Sequence, residues 1–241
     1  MNNQVQVQQN RKLISYMVNN QVQYRVGISG LEPGLLLHNP RSSNPLDPAS
    51  KKLNAVKKEY QSNKNDENLI EYLNAQWNCA IYWNEGQGCY IPRGMVQASM
   101  IGAAKKTKQE GKRSSIARII SGAISPKGDA VLEISEPHKT KTDLETLRAN
   151  INYNFVIPVS IGTSLVPASR PLFKNWKATL TFNVLDETLV PLETFKEIVE
   201  DMGSAGFGDW RPSGPTPGEF GMFSIEKFES SSDGGQTWQK V

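Results

Sequence analysis

The sequence is poor in residues that bind metals or form disulfides, and it has no long apolar run. Its 241 residues include two cysteines, Cys79 and Cys89, and two histidines, His38 and His138. Structural zinc takes about four such ligands, so we expect no metal site and no cofactor. Cysteines of cytosolic proteins usually stay reduced, so two free thiols are expected. No window approaches the roughly 20 apolar residues of a membrane-spanning helix.

The beginning of the chain also lacks the apolar stretch of a secretory signal. Residues 1–10 are rich in Asn and Gln, a composition that predicts a flexible arm rather than a signal peptide. We therefore expect a cytoplasmic protein without a membrane partner. At this length one large domain is favoured over two small ones, so residues 11–241 are interpreted as a single domain.

Positive charge is slight overall but concentrated in one segment. The formal net charge of +3 is too small to indicate a partner. Between positions 105 and 127, however, the chain has seven basic residues and a single acidic one, Glu110. Such an excess of positive charge attracts phosphate groups. The alternative is a solvated, lysine-rich loop. The residues interpreted as phosphate contacts, hereafter the basic cluster, are Lys105, Lys106, Lys108, Lys112, Arg113 and Arg118.

Two strand–helix–strand units account for most of the secondary-structure pattern. Alternating apolar and polar residues over 22–28 and 177–184 are typical of half-buried strands. Residues 191–202 carry apolar side chains at helical spacing, and 220–228 return as a strand. This unit and a similar one nearer the N-terminus predict an α+β fold, with a ferredoxin-like or RRM-like antiparallel sheet and helices on one face. Residues 107–150 fit neither unit and are predicted to form a finger-like insertion that projects from the core.

The segment 203–221, hereafter the glycine loop, has the composition of a nucleic-acid cradle. Glycine allows positive φ angles and the close approach of another backbone, Trp210 offers a stacking face, and Arg211 offers a fork for phosphate. The alternative is a structural loop whose tryptophan fills the core and whose arginine pairs with a carboxylate. Its six glycines are Gly203, Gly206, Gly208, Gly214, Gly218 and Gly221.

A second aromatic and cationic pair precedes the clearest strand. Arg170 and Trp176 lie just before residues 177–184. We expect them to join Trp210 and Arg211 in one patch that stacks on bases and binds phosphates. The alternative is a pair of core tryptophans with solvated arginines.

Catalytic signals are weak. His38 lies in a proline-rich loop, where it serves either as a general base or as a packing residue. Asp209 and Glu219 flank the glycine loop, but two carboxylates make a poor metal site, and Asp209 is expected to orient Arg211 or to cap a turn. No spacing indicates a catalytic triad. We therefore expect a binding protein with no catalytic residues.

Several short motifs occur in a distinctive order along the chain. They are Leu-His-Asn-Pro-Arg at 37–41, Ile-Pro-Arg-Gly-Met-Val-Gln-Ala-Ser-Met at 91–100, Ser-Arg-Pro-Leu-Phe-Lys-Asn-Trp at 169–176, Gly-Phe-Gly-Asp-Trp-Arg-Pro at 206–212 and Gly-Glu-Phe-Gly-Met-Phe at 218–223. In combination they resemble a family of phage and prophage proteins. The resemblance spans about residues 22–228 and implies a bacterial host cell.

The glycine loop followed by a strand is also similar to the RAMP superfamily, which includes crRNA-binding backbone subunits of CRISPR effector complexes. The resemblance implies an RRM-like fold with finger insertions and RNA binding along a filament. Met222 departs from the usual Gly-aromatic-Gly-Arg ending, since related phage sequences often have arginine there.

Three functions follow as hypotheses. The first is a single-stranded nucleic-acid-binding protein of a phage or mobile element, acting in replication, recombination or nucleic-acid protection. Its partners would be single-stranded DNA or RNA, further copies in an oligomer or filament, and phage or host replication or CRISPR proteins. The second is an interaction module that mimics or blocks a RAMP-type CRISPR complex, and the third is a RAMP-like nuclease that uses His38.

Overall fold

A central eight-stranded sheet and a smaller three-stranded sheet form the framework of the protein. The computed structural model describes residues 22–109, 111–134, 143–161, 164–215 and 217–241. The arm predicted at residues 1–10 lies outside the described residues, as does His138.

Strands and helices alternate along the described residues. The strands are β1 (Gln23–Gly30), β2 (Leu35–Leu36), β3 (Trp83–Asn84), β4 (Gly88–Ile91), β5 (Ile124–Pro126), β6 (Ala130–Ile134), β7 (Asn154–Ile161), β8 (Ser164–Phe173), β9 (Trp176–Val184), β10 (Phe223–Ser231) and β11 (Gln239–Lys240). The helices are α1 (Pro48–Ser62), α2 (Asp66–Ala80), α3 (Arg93–Ala104), α4 (Ala117–Ala123), α5 (Leu144–Ala149) and α6 (Leu192–Ala205). Short 3₁₀ turns occur at Pro40–Ser43 and Ile151–Tyr153.

The central sheet has the strand order of a ferredoxin-like fold. Its order is β11-β10-β1-β9-β6-β4-β3, and β5 also pairs with β9. Neighbouring strands are antiparallel. One unit consists of β9, α6 and β10, and its two strands lie on either side of β1. The other unit runs from β1 through α3 to β6, and its two strands lie on either side of β9. Interleaving of two strand–helix–strand units confirms the predicted α+β antiparallel architecture.

The alternation along β9 separates a buried face of this sheet from an open one. Ala178, Leu180 and Phe182 are buried, whereas Lys177 and Thr179 are exposed. Helices α3 and α6 pack together beneath the buried face, and α6 contacts β10. Apolar burial at roughly 25 cal/mol per Å² makes this layer the main stabilising contact of the fold. The opposite face presents the exposed side chains of Lys177 and Thr179.

Aromatic rings from three elements meet at the centre of that layer. Phe195 of α6 stacks on Tyr24 of β1 with ring centroids 5.4 Å apart. It also meets Phe182 of β9 edge to face at 5.0 Å. Such pairs add about 0.5–1.5 kcal/mol beyond the area they bury, so they fix the position of α6 and of the loop that follows it.

The smaller sheet is a long hairpin with one added strand. Strands β7 and β8 pair along their full length, from Asn154 opposite Pro171 to Ile161 opposite Ser164. Strand β2 joins β8 on its other side. The base of the hairpin rests on α2, where the indole of Trp77 donates a hydrogen bond to the carbonyl of Tyr153 at 2.8 Å. This sheet therefore carries Arg170 on a well-supported strand.

The segment 107–150 is more integrated than an insertion that projects from the core. Strands β5 and β6 both pair with β9 in the central sheet. The physical reason is the alternation at 130–134, which buries Leu132 and Ile134. Residues Lys108 and Ser115 form a separate bridge outside the main strands, and the basic cluster lies outside the strands of the sheet.

Two helical glycines give a test of this packing. A Cβ on Gly102 of α3 meets nothing within 4 Å, so Gly102→Ala should stabilise the protein by about 0.5–1 kcal/mol. A Cβ on Gly203 of α6 overlaps the carbonyl of Phe223 in β10, so Gly203→Ala should cost about 1–3 kcal/mol. Chemical denaturation measures both free energies of unfolding. Equal stability of the two variants would contradict the described contact of α6 with β10.

Candidate nucleic-acid interface

The glycine loop folds back on β2 through backbone hydrogen bonds. The amide of Asp209 donates to the carbonyl of Leu36 at 2.8 Å, and the amide of Gly221 donates to the carbonyl of Gly34 at 2.7 Å. Within the loop, the amide of Phe207 donates to the carbonyl of Gly221 at 2.9 Å. The loop is thereby held against the small sheet.

Two glycines show why this loop needs its composition. Gly208 and Gly221 have φ angles of 77° and 76°, a region that side chains disfavour. A Cβ on Gly208 would overlap the carbonyl of Leu36, and one on Gly221 would overlap the backbone of Phe207. The close approach that glycine permits is therefore to the protein's own backbone. A role of these two residues in contacting a ligand stays a prediction.

The other glycines of the loop have equally local neighbours. Gly203 lies inside α6, and Gly206 follows the end of that helix. The amide of Gly214 donates to the carbonyl of Arg211 at 2.9 Å. Gly218 packs against the backbone of Trp210. The loop thus has the tightly packed backbone of the structural alternative, and only its side chains are presented outward.

Trp210 and Arg211 lie at the surface of the glycine loop. Trp210 is half-buried and packs beside Phe220, with ring centroids 6.4 Å apart. Arg211 donates from Nη1 to the carbonyl of Gly208 at 2.8 Å and from Nε to the hydroxyl of Ser213 at 3.1 Å. Both acceptors are neutral, so these bonds orient the guanidinium without cancelling its charge. The expected pairing of Arg211 with Asp209 is wrong.

Asp209 instead joins two distant parts of the chain. Its Oδ2 lies 3.3 Å from Nδ1 of His38 and 3.5 Å from Nε of Arg170. Its Oδ1 accepts from the amide of Trp210 at 3.1 Å, in agreement with the expected turn-capping role. The site therefore comprises the segment after β2, strand β8 and the glycine loop. Its three members fall in three of the motifs that carried the family resemblance, which was the available sequence signal.

Electrostatics keep Asp209 ionised. Burial raises the pKa of its carboxyl group, but the hydrogen bond and charge of His38, the charge of Arg170 and the Trp210 amide outweigh burial. The pKa is consequently below its ordinary value. A carboxylate at this position holds the His38 ring and the Arg170 guanidinium together.

Trp176 does not belong to this surface. Its side chain is only 1% exposed, because it begins the buried register of β9. The ring occupies the space beside Gly30, where a Cβ would overlap the indole. It meets Phe223 edge to face at 6.3 Å. The prediction of a patch shared by Trp176 and Trp210 is therefore wrong, because the core alternative holds for Trp176.

All six side chains of the basic cluster are exposed. Lys105 caps the C-terminal end of α3, and Arg118 lies on α4. Nζ of Lys106 lies 3.3 Å from the carboxylate of Asp201 in α6. Because α6 leads directly into the glycine loop, this ion pair connects one end of the basic cluster to the helix that precedes Trp210 and Arg211.

The open face of the central sheet is a further surface, which the sequence reasoning did not consider. A concave region of about 830 Å³ is lined by Ser29 of β1, Lys177 and Thr179 of β9, and Glu133 of β6. Lys177 forms an ion pair with Glu226 at 2.5 Å. Two acids, Asp129 and Glu133, line this region against the single base Lys177, so charge does not favour phosphate on this face. In the sequence, the alternation of apolar and polar residues along β9 was the signal that could have revealed this open face.

Membrane-spanning and metal-binding features are lacking in the described part of the chain. No described helix is long and apolar enough to cross a membrane. No group of three or more His, Cys, Asp or Glu side chains suited to a metal ion occurs among the described residues.

Comparison with known proteins supports the fold. No family model matches the chain, and no curated protein matches it. Among solved structures, the fold is similar to a chain of the Type III-B Cmr-beta complex bound to cognate target RNA, with a TM-score of 0.51 and 10% sequence identity. The match covers 97% of this chain and 69% of that one. At this level of identity, the likeness shows the fold alone.

The lowered pKa of Asp209 predicts a pH-dependent contribution to stability. A carboxyl with a depressed pKa stabilises the folded state above its unfolded pKa, and this contribution disappears as pH falls. Between about pH 7 and about pH 3, the wild type should therefore lose more free energy of unfolding than Asp209→Asn. Glu219→Gln, which removes an exposed carboxylate from the same loop, is the control. Parallel pH profiles of the wild type and Asp209→Asn would refute the assignment.

Proposed function

We propose that the protein binds single-stranded nucleic acid and is not an enzyme. The observation that carries this proposal is the set of six exposed basic side chains, one of which, Lys106, pairs with Asp201 of the helix that enters the glycine loop. Trp210 and Arg211 lie in that loop, and Arg170 on β8 is joined to it through Asp209. Cationic side chains beside a half-exposed aromatic ring suit a flexible strand whose bases are unpaired.

Counterion release supplies the affinity in this proposal. Each phosphate that a lysine or arginine neutralises releases bound cations, so binding weakens linearly in log salt. Stacking of a base on Trp210 would add about 1–3 kcal/mol. Neither term depends on sequence, and both apply to RNA and DNA.

The comparison with solved structures is consistent with this proposal. The similar chain belongs to a complex whose printed description includes bound target RNA, and the fold is shared over nearly all of the present chain. We accordingly propose RNA or DNA single strands as ligands in a bacterial host cell, with a role in phage replication, recombination or nucleic-acid protection. Assembly into a filament, or with replication or CRISPR proteins, is a further part of the proposal.

A salt titration with labelled oligonucleotides tests the basic cluster. The double variant Lys112→Ala/Arg113→Ala should bind single strands roughly tenfold more weakly, and each lost contact should reduce the slope of log affinity against log salt by about 0.7. Single-stranded RNA, single-stranded DNA and duplex of equal length are compared by mobility shift.

The matched control is Lys57→Ala/Lys58→Ala, which removes the same charge from exposed positions of α1. Its affinity should equal that of the wild type. Absence of binding to any single strand at low salt would refute the proposed function. Equal losses in the two double variants would show that only net charge matters.

A nuclease is the second candidate, because one geometric observation favours it. Nδ1 of His38 lies 3.3 Å from the Asp209 carboxylate, and the His38 side chain is 42% exposed. A carboxylate that orients an imidazole is a common arrangement for general-base catalysis. Incubation of labelled single-stranded RNA with the wild type and with His38→Ala decides the question, since only cleavage that disappears in the variant supports a nuclease.

A further inference from the structure

A small pocket lies between the 3₁₀ turn at Pro40–Ser43, helix α2 and strand β8. Its volume is about 130 Å³. Cys79 and Ala80 of α2, both buried, form its floor. Arg170 of β8 forms one wall, and His38 and Ser42 lie at its exposed mouth. The functions discussed above use His38 and Arg170 of its lining, but none of them assigns a ligand to the cavity itself.

The pocket is electrostatically suited to an anion. Burial raises the pKa of the Cys79 thiol, and the positive charges of Arg41 and Arg170 oppose that rise while Asp47 adds to it. Two guanidinium groups are therefore close enough to act on the pocket floor. The Cys79 thiol itself stays protonated and adds no negative charge.

The two nearby carboxylates are already engaged elsewhere. Asp47 accepts hydrogen bonds from the amides of Ala49 and Ser50 at the start of α1. Asp209 is shared between His38 and Arg170. Both carboxylates are thus committed to N–H donors of the protein, and neither is among the residues that line the cavity.

The wall and the mouth of the pocket supply donors in a fixed arrangement. Arg170 uses Nε toward Asp209 at 3.5 Å and Nη1 toward the carbonyl of Ser169 at 3.1 Å, which leaves Nη2 for a ligand. Its side chain is only 18% exposed, so this donor is held in place. Nδ1 of His38 faces Asp209, and the exposed hydroxyl of Ser42, which can donate, is a further lining group at the mouth.

A neutral wall completes the pocket and explains its rigidity. The side-chain amide of Gln76 donates to the carbonyl of Pro167 at 3.3 Å and accepts from the amide of Ser169 at 2.8 Å. These two bonds tie α2 to the residue that precedes Arg170. The distance between the floor and the cationic wall is consequently fixed before any ligand arrives.

We propose that this pocket binds one terminal phosphate group of a single-stranded nucleic acid, so that the protein recognises a strand end. The inference rests on the proposed function. A phosphomonoester carries up to about two negative charges and three terminal oxygens, which suit the Arg170 and Ser42 donors. Since a water takes up about 30 Å³ in the liquid, the cavity has room for a phosphate and little more. An internal phosphodiester continues in two directions, which suits an open groove rather than a small pocket.

The pocket is tested directly with uridine 5′-monophosphate and uridine, by calorimetric titration of the full chain. The monophosphate should bind and the nucleoside should not. Ser42→Glu, which places a carboxylate at the exposed mouth, should weaken binding of the monophosphate at least roughly tenfold. Ser43→Glu changes the adjacent exposed residue, which does not line the pocket, and should bind as the wild type does. No binding of the monophosphate, or equal effects of the two substitutions, would overturn the proposal.

Strand-end recognition is tested with one oligonucleotide in three forms, carrying a 5′-phosphate, a 3′-phosphate or hydroxyls at both ends. One phosphorylated form should bind roughly tenfold more tightly than the hydroxyl form, and Ser42→Glu should remove that difference without abolishing binding. Equal affinity of all three forms overturns strand-end recognition while leaving the proposed function intact. Binding of the monophosphate without binding of any strand would refute the proposed function, and strand-end recognition with it.

Discussion

One backbone hydrogen bond, from the amide of Asp209 to the carbonyl of Leu36, sets the geometry of the whole candidate site. It anchors the glycine loop at a single position on β2. Because His38 follows two residues after Leu36, the same bond brings the Asp209 carboxylate to the imidazole, and Arg170 on the paired strand β8 completes the cluster. Three chemically useful side chains, far apart in sequence, are thereby arranged by main-chain contacts that tolerate little variation. The absence of a side chain at Gly208 is what makes the approach possible.

In this arrangement, the backbone and the side chains of the glycine loop have different roles. The backbone packs against the protein itself, and the amides of Phe207, Asp209 and Gly221 donate to main-chain carbonyls. In the proposed function, recognition depends on Arg170, Trp210 and Arg211, and the guanidinium groups of Arg211 and Arg170 are oriented by a neutral and a shared acceptor respectively. A phosphate-binding loop and a packed structural loop are often treated as alternatives. In this loop the two descriptions are compatible, because the rigid backbone is the means by which the side chains are positioned.

The strict alternation of apolar and polar residues made much of the fold predictable from the sequence. Two predictions were wrong because this alternation was not applied to the residues concerned. The period of two along β9 identified a central strand, and it also assigns Trp176 to the buried face, although the tryptophan was interpreted as a surface residue. Leu132 and Ile134 follow the same period, yet the lysine-rich residues before them suggested an insertion. The pairing of Asp209 with His38 and Arg170 could not be derived from spacing, because it depends on how β2 and the glycine loop meet in three dimensions. The position of the basic cluster beside α6 likewise required the packing of α3 on α6.

The burial of the tryptophans has a consequence for spectroscopy. Trp77 and Trp176 are enclosed in the core, where their emission is shielded from aqueous quenchers. Trp210 is half-buried beside the Asp209 cluster, and Trp83 and Trp238 are half-buried elsewhere. Aqueous quenchers therefore divide the fluorescence of the unmodified chain between two core indoles and three accessible ones, and of those three Trp210 is the one that reports on the glycine loop.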